Sequence, residues 1–266
     1  MHATLHHRIG PDGIEALAIR SDRSFPRHSH DEFGFGYLVA GGQDSWSGRG
    51  LVEAGPGDVI TVNPAEIHDG RGRPGAPRHW RMLFLAPGAL ARYGDLRAEA
   101  AEWSDPVLSQ PATRRVVAGA FAAVAAERPD PGRIEEALLA AIRALAGEAP
   151  LEAGPPTGGG PSRPVARVLD LIAQDWGAPL SLSDFAAEAG MSRYAFLRRF
   201  SREIGATPHA YLTQHRVKRA RAGIAAGLPI AEAALAAGFA DQSHLTRAFV
   251  RQFGLPPGRF RNAAGR

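Results

Sequence analysis

The sequence contains no cysteine among its 266 residues, which excludes disulfide bonds, thiolate chemistry and zinc sites built on thiolates. It also lacks an uninterrupted apolar run of about 18 residues, the length that a membrane-spanning helix needs. The first twelve residues have no apolar stretch of the signal-peptide kind. We therefore expect a cytoplasmic protein with no membrane partner, long enough for one large or two medium domains.

Lysine is scarce, and the positive charge is unevenly distributed along the chain. Residues 161–266 contain 15 Lys and Arg against 7 Asp and Glu, a net charge of +8, which leaves −4 for the remaining residues. Lys218 is the single lysine of this basic part. Arginine supplies the other positive charges, and its planar guanidinium suits phosphate and guanine. This asymmetry predicts a polyanion-binding domain joined to a domain with another task.

Proline and glycine occupy roughly half of residues 147–164, which show no periodic apolar pattern. This composition predicts a flexible linker between two domains, residues 1–146 and 165–266. The glycines at 158–160 lack the preceding strand and the following Gly-Lys-Ser/Thr of a phosphate-binding loop, so the linker interpretation is preferred.

The front part of the chain contains short runs of β-branched and aromatic residues separated by glycine-rich turns. The runs are residues 33–40, 57–62 and 80–86, and the turns are residues 41–44, 48–50 and 70–77. Several short strands with such turns predict a β-sandwich or a β-barrel.

Residues 112–146 change to an alanine-rich helical pattern that breaks at 129–132. Each half has an apolar stripe: Val116, Val117, Phe121 and Val124, then Ile134, Leu138, Leu139, Ile142 and Leu145. The pattern predicts two adjacent helices, which either pack on their own domain or pair with a second subunit.

Beyond the linker, the sequence repeats itself with an offset of 49 residues. The residues that recur are Phe196, Phe200, Ile204, Arg198, Arg202, Gly205 and Pro208, which return as Leu245, Phe249, Phe253, Arg247, Arg251, Gly254 and Pro257. The apolar members lie at i, i+4 and i+8, so each copy predicts a helix with one buried face.

A second, shorter helix precedes each of these, at residues 182–189 and 230–237. Each short helix ends at a glycine, Gly190 or Gly238, that can close a helix in the left-handed conformation. Ser181 and Asp184 form a predicted capping box, and Ser192 is placed to cap the following helix. Helix, glycine turn and helix, occurring twice, predict two helix-turn-helix units.

The exposed face of each second helix carries residue types that contact DNA. The predicted DNA-binding residues are Tyr194, Leu197, Arg198, Ser201 and Arg202 in the first copy, and Gln242, Ser243, His244, Thr246, Arg247 and Arg251 in the second. Arginine, glutamine and hydroxyl side chains read base edges, and tyrosine and leucine contact thymine methyl groups or sugars. Arg193, Arg199, Arg202 and Arg251 flank these faces and are expected at phosphates. A solvated helix face is the alternative for any single stripe, but the duplication in a basic segment favours DNA.

Residues 181–261 resemble the DNA-binding domain of the AraC/XylS family of bacterial transcription regulators. The resemblance rests on SLSDFAAEAGMSRYAFLRRF, HAYLTQHRVKRARAGI and GFADQSHLTRAFVRQFGLPPGRFR. It implies two recognition helices held on one joining helix, so that they enter major grooves about 34 Å apart. Leu197 stands where many relatives carry a polar residue, which argues against base readout at that position.

The front part resembles the two sequence blocks of the cupin barrel. The matching pieces are His28-Ser29-His30, Pro56-Gly57-Asp58, Asn63-Pro64 and His68. Many AraC/XylS regulators carry such a barrel as a small-molecule sensor. His28 and His30 lie two apart and point to one side of a strand, so with His68 they are expected to contact an effector, the alternative being hydrogen bonds within the barrel. The fold class implied is therefore α+β with two domains, a cupin-like β-barrel with trailing helices followed by an all-α double helix-turn-helix.

Metal cupins add a glutamate three or four residues after the second histidine, where this chain has Gly34 and Phe35. Glu32 comes earlier, on the face of His30 if the strand continues through it. Because the fourth protein ligand is missing, we expect no cofactor and no stoichiometric metal.

The sequence thus predicts a non-enzymatic, sequence-specific DNA-binding regulator. Its expected partners are double-stranded DNA, an unidentified small-molecule effector, RNA polymerase and a second copy paired through residues 112–146. The alternative is a cupin-type metal enzyme fused to a DNA-binding tail, against which the missing glutamate argues.

Overall fold

The computed structural model describes residues 3–9, 13–48, 50–72, 76–94, 101–148, 151–153 and 161–264. Its contacts divide the chain into two compact units, residues 1–155 and 156–265. The first is rich in strands and the second is helical, so the predicted α+β class is confirmed.

The front unit is built on antiparallel strands. In the described residues these are β1 Ala3–Ile9, β2 Ile14–Ser21, β3 Phe25–His28, β4 Phe33–Ala40, β5 Gln43–Ser47, β6 Gly50–Ala54, β7 Val59–Val62, β8 His68–Gly70, β9 Arg78–Leu85, β10 Ala101–Trp103, β11 Val107–Leu108 and β12 Leu151–Ala153. Six of them form one sheet in the order β1-β2-β9-β4-β7-β11. The pairs β3-β8 and β5-β6 lie beside each other, joined by a bridge between Asp44 and Arg71.

The described part of this unit also contains three helices: α1 Pro87–Gly94, α2 Pro111–Val124 and α3 Pro131–Glu148. Their apolar side chains join those of the large sheet in one core, in which Phe35, Leu83, Val117 and Leu138 are fully buried. The apolar stripes predicted on residues 112–146 therefore pack within their own domain.

The back unit consists of helices in its described part. They are α4 Arg163–Gln174, α5 Leu182–Ala189, α6 Arg193–Ile204, α7 Pro208–Ala225, α8 Ile230–Ala236, α9 Gln242–Phe253 and α10 Pro257–Ala264. The long helix α7 contacts α5 and α6 on one side of the repeat and α8 and α9 on the other. It therefore connects the two repeated halves physically.

Several predicted boundaries need correction. The strand predicted at residues 57–62 begins only at Val59, because residues 55–58 form a turn in which Gly55 N donates to the Asp58 carboxylate. The linker predicted at residues 147–164 is partly regular: residues 147–148 end α3, 151–153 pair with β10, and α4 begins at Arg163. The rest of that prediction, residues 149–150 and 154–160, lies outside the described residues.

Candidate nucleic-acid interface and effector site

The first helix pair, α5 and α6, is defined by local hydrogen bonds at its ends. Ser181 Oγ accepts from Asp184 N while the Asp184 carboxylate accepts from Ser181 N at 2.8 Å, which is the predicted capping box. Gly190 closes α5 at φ 66°, in the left-handed region that glycine adopts without a steric penalty. Ser192 Oγ then accepts from Ala195 N at 3.3 Å and starts α6. The tight turn follows from these few residues.

Helix α6 has one buried and one open face. Phe196 and Phe200 are fully buried, and the Phe200 ring meets Tyr211 of α7 edge-on at 5.9 Å. On the opposite face Tyr194 is 70% exposed, and the Arg198 guanidinium lies 5.7 Å from its ring. The burial pattern therefore presents the polar residues outward, as the sequence predicts.

A groove of about 320 Å³ runs along this open face of α6. It is lined by Met191, Tyr194, Ala195, Arg198, Arg199 and Arg202. Of the other predicted residues of α6, Leu197 and Ser201 are half-buried and do not line the groove, and Arg193 is exposed. Arg199 lies 3.8 Å from the Glu203 carboxylate one turn later, which offsets part of its charge. The groove is thus dominated by arginine.

The second helix pair, α8 and α9, repeats the arrangement with different caps. Gly238 takes φ 81° in the turn, and a side chain there would also meet Arg216 Nε at 3.0 Å. Asp241 caps α9 by accepting from His244 N at 2.6 Å. The sequence analysis missed Asp241, although an aspartate before an apolar periodic run is a strong N-cap signal.

The open face of α9 carries fewer charges than that of α6. Gln242, Ser243, His244, Arg247 and Arg251 are exposed, opposite the fully buried Leu245 and Phe249. Thr246 is half-buried, and its hydroxyl donates to Gln242 O at 2.8 Å. Because that proton is bonded within the helix, Thr246 offers DNA a methyl group and an acceptor oxygen.

Arg216 on α7 is a structural residue that the sequence analysis did not single out. Its guanidinium donates to Trp176 O at 2.7 Å and to Ala178 O at 2.6 Å. Burial lowers the pKa of this guanidinium, which remains protonated at neutral pH because an arginine begins far above it. Arg216 thereby ties the segment between α4 and α5 to the joining helix.

The front unit brings the three predicted histidines together. His28 at the end of β3 pairs with His68 at the start of β8, and their ring centroids are 4.4 Å apart. His30 lies 4.7 Å from His68 and 6.1 Å from His28. His28 and His30 are buried and His68 is half-buried. The fold therefore brings together three histidines that are up to 40 residues apart in the sequence.

Two carboxylates near this cluster accept hydrogen bonds from backbone amides. Glu66 accepts from Asn63 N at 3.0 Å and from Gly48 N at 3.2 Å. Glu32, which follows a bend after His30, accepts from Asp31 N at 3.1 Å. Within the described residues, the group suited to a metal contains histidines alone.

A small cavity borders the cluster through His68. Its volume is about 40 Å³, and its walls include Ser45, Trp46, Thr61, Glu66 and Asp69. Since one water needs roughly 10–15 Å³ of such space, the cavity has room for only a few water-sized groups. Most of the surface of its walls is apolar, and a few hydrogen-bonding groups interrupt it.

Two family matches agree with this division of the chain. The AraC-like ligand binding domain matches residues 13–142, and a helix-turn-helix domain matches residues 185–263. The chain belongs to the AraC family of transcriptional regulators. As an AraC-family protein it is a DNA-binding regulator with a ligand-binding front domain.

Relatives extend this assignment. The chain is 25% identical over 230 residues to the HTH-type transcriptional regulator YbfI of Bacillus subtilis, covering 84% of this chain and 82% of YbfI. It is 39% identical over 103 residues to the transcriptional activator NphR of a Rhodococcus species, covering 38% of this chain and 30% of NphR. These AraC-family relatives are regulators rather than enzymes, which confirms the expected non-enzymatic class.

The overall fold is also found in ToxT of Vibrio cholerae. A ToxT structure with an unsaturated fatty acid bound aligns with a TM-score of 0.53 at 10% identity, covering 93% of this chain and 94% of that one. In the described part of the chain, none of the helices combines the length and hydropathy that a membrane span requires.

Proposed function

We propose that this regulator reads two successive major grooves of one DNA duplex with α6 and α9. The observation that carries the proposal is the pair of capped, glycine-closed helix-turn-helix units on one joining helix, α7. Each unit buries two large apolar side chains completely and turns polar ones outward. Successive major grooves on one face of B-DNA are about 34 Å apart, a distance of the same order as the about 27 Å length of the 18-residue helix α7.

The exposed residues divide into two roles in this proposal. Arg198, Arg247, Gln242 and the short hydroxyl side chains reach base edges, because these groups match the donors and acceptors of the major groove. Tyr194, Leu197 and His244 contact sugars, methyl groups or bases at the rim. Arg202 and Arg251, in the last turns of their helices, neutralise phosphates.

The front domain is the effector-responsive part of the proposed regulator. His28, His30 and His68 would contact a small polar effector, consistent with the cavity of about 40 Å³ beside His68. That volume is far below the several hundred Å³ typical of sites for larger organic ligands. Effector binding would shift the equilibrium between states that differ in DNA affinity.

Further partners belong to the same proposal. We expect the protein to act in the cytoplasm and to contact RNA polymerase at its promoters. Pairing of two copies through residues 112–146 would use the outer sides of α2 and α3, because their apolar stripes lie in the domain core. Analytical ultracentrifugation of the full chain measures this directly, and a monomer at high concentration would contradict the pairing.

Genomic selection followed by a salt titration tests the proposed function. Full chain and residues 161–266 should both enrich the same genomic fragments, and their affinity should fall steeply with salt as phosphates are neutralised. A protein that enriches no fragment, or whose binding is indifferent to salt, would contradict the proposal.

A further inference from the structure

The two helix-turn-helix units also contact each other directly, beside the joining helix α7. Residues 176–178, between α4 and α5, lie against Gly238 in the turn of the second unit. A Cβ atom on Gly238 would lie 3.1 Å from Gly177 Cα and 3.0 Å from Arg216 Nε. Because non-bonded carbon atoms are best placed about 3.5–4.0 Å apart, a side chain at Gly238 would push the two segments apart. The units therefore approach as closely as a glycine allows.

Both sides of this contact are fixed within their own units. On one side, the side chains of Trp176 and Leu180 pack against the apolar core of the first unit. On the other, Gly238 has φ 81° and its N donates to Leu235 O at 3.0 Å, which closes the turn between α8 and α9. A displacement at the contact would therefore move one whole unit relative to the other.

Arg216 of α7 links the two sides. Its Nε donates to Trp176 O at 2.7 Å and its Nη2 to Ala178 O at 2.6 Å. Two hydrogen bonds from one planar guanidinium fix both the distance and the direction of the segment. Nearly one turn further along α7, the guanidinium of Arg219 lies 3.8 Å from the centroid of the Trp176 ring, a favourable cation–π contact. The first unit is thus attached to α7 at the same guanidinium against which Gly238 packs.

We propose that Arg216 is a positioning residue that fixes the orientation of α6 relative to α9 and thereby sets the half-site spacing that the regulator accepts. Trp176 and Gly238 provide the two surfaces that it holds together. The inference rests on the proposed function, because only a protein that reads two grooves has a preferred spacing. Helix α7 alone separates the units along its axis, and the contact at Arg216 also restricts their rotation about that axis.

Half-site spacing makes this orientation measurable. B-DNA turns once in about 10–10.5 base pairs, so an insertion of two base pairs rotates one half-site by roughly 70° relative to the other. A rigid pair of recognition helices then loses base contacts of one helix, whereas a loosened pair recovers part of them by rotating. The loss of one bidentate base contact weakens binding about 5- to 150-fold.

The test compares duplexes that differ only in spacing, made from an operator selected with the unmodified full chain. An insertion of two base pairs between the half-sites should weaken binding of the unmodified chain at least about fivefold. Arg216→Met keeps the apolar stem of the side chain and removes both hydrogen bonds. Its spacing penalty should therefore be less than half as large on a logarithmic scale.

Two glycine variants provide a second perturbation and its matched control. Gly238→Ala should reduce the spacing penalty as Arg216→Met does, because the added methyl group separates the two segments. Gly177→Ala should keep the full penalty, because a Cβ at Gly177 would have none of the described atoms within 4 Å.

The ratio of the affinities for the two duplexes keeps the test independent of misfolding, since a reduced fraction of competent protein lowers both affinities equally. An unchanged penalty in Arg216→Met or in Gly238→Ala, or an equal reduction in Gly177→Ala, would overturn the inference. So would an unmodified chain that needs both half-sites but tolerates the insertion. An unmodified chain that binds one half-site as tightly as two would instead contradict the proposed function.

Discussion

The two helix-turn-helix units share a frame and differ in the chemistry of their open faces. Helix α6 carries four arginines and an exposed tyrosine, whereas α9 carries two arginines among glutamine, serine, histidine and threonine. Both bury two large apolar residues on the other side. The two units therefore share their helix arrangement and buried face. The open face of α6, with more arginines, is suited to phosphate contacts, whereas that of α9 is richer in groups that discriminate between bases.

The largest expected effect is on stability, and it tests whether the buried faces of α6 and α9 contribute equally to it. Phe200→Ala and Phe249→Ala remove fully buried rings at corresponding positions, so each should lower the free energy of unfolding by about 3–5 kcal/mol. Urea unfolding measures this loss. Leu235→Ala is the control: this side chain is 63% exposed on α8 and should change stability by about 0.5 kcal/mol or less. A large difference in the loss of unfolding free energy between the two phenylalanine variants would show that the two buried faces are not equivalent.

The proposed base-reading residues test whether the open faces of α6 and α9 recognise different base pairs. Arg198→Ala and Arg247→Ala should each cost about 1–3 kcal/mol of binding free energy and relax preference at particular base pairs. The base pairs affected should differ between the two variants, because we propose that α6 and α9 read different grooves. Binding-site selection with each variant measures the preference. Unchanged preference in Arg247→Ala would show that the open face of α9 is assigned wrongly.

The phosphate contacts are expected to have a smaller and uniform effect. Arg202→Ala and Arg251→Ala should weaken binding to all sequences alike and reduce the slope of log affinity against log salt by about 0.9 each. Titrations on specific and random duplexes at several salt concentrations measure both quantities. A change of base preference in either variant would show that this arginine contacts bases and not only phosphates.

The smallest effect concerns the capping box, which only the first unit has. The side-chain and backbone hydrogen bonds with Ser181 lower the pKa of Asp184 below its ordinary 3.8. The stabilisation is thus present above pH 3.8 and is lost as the pH falls through the lower folded value. Ser181→Ala should cost stability at pH 6 and less at pH 2.5. Ser192→Ala removes a cap that involves no carboxylate, so a pH-dependent loss there would contradict this explanation.

The second domain could be predicted in detail because its signals are local. The start of α5 is set by Ser181 and Asp184, three residues apart, and its end by Gly190. The 49-residue repeat then predicted the second helix-turn-helix unit. The front domain depends on distant pairings instead. Strand β2 was missed because it lies between β1 and β9 and buries Ile14 to Leu17 consecutively, without alternation. The hydrogen bonds of the three histidines are local, each to a carbonyl two residues away, but the approach of His68 to His28 requires β3 to pair with β8.

The central claim, that α6 and α9 occupy successive major grooves, is tested most directly by chemical interference mapping on a selected operator. We predict two contacted major-groove segments on one face of the duplex, centred about 10 base pairs apart. Arg198→Ala should remove contacts in one segment and Arg247→Ala in the other. A single contacted segment, or loss of the same segment in both variants, would contradict the account.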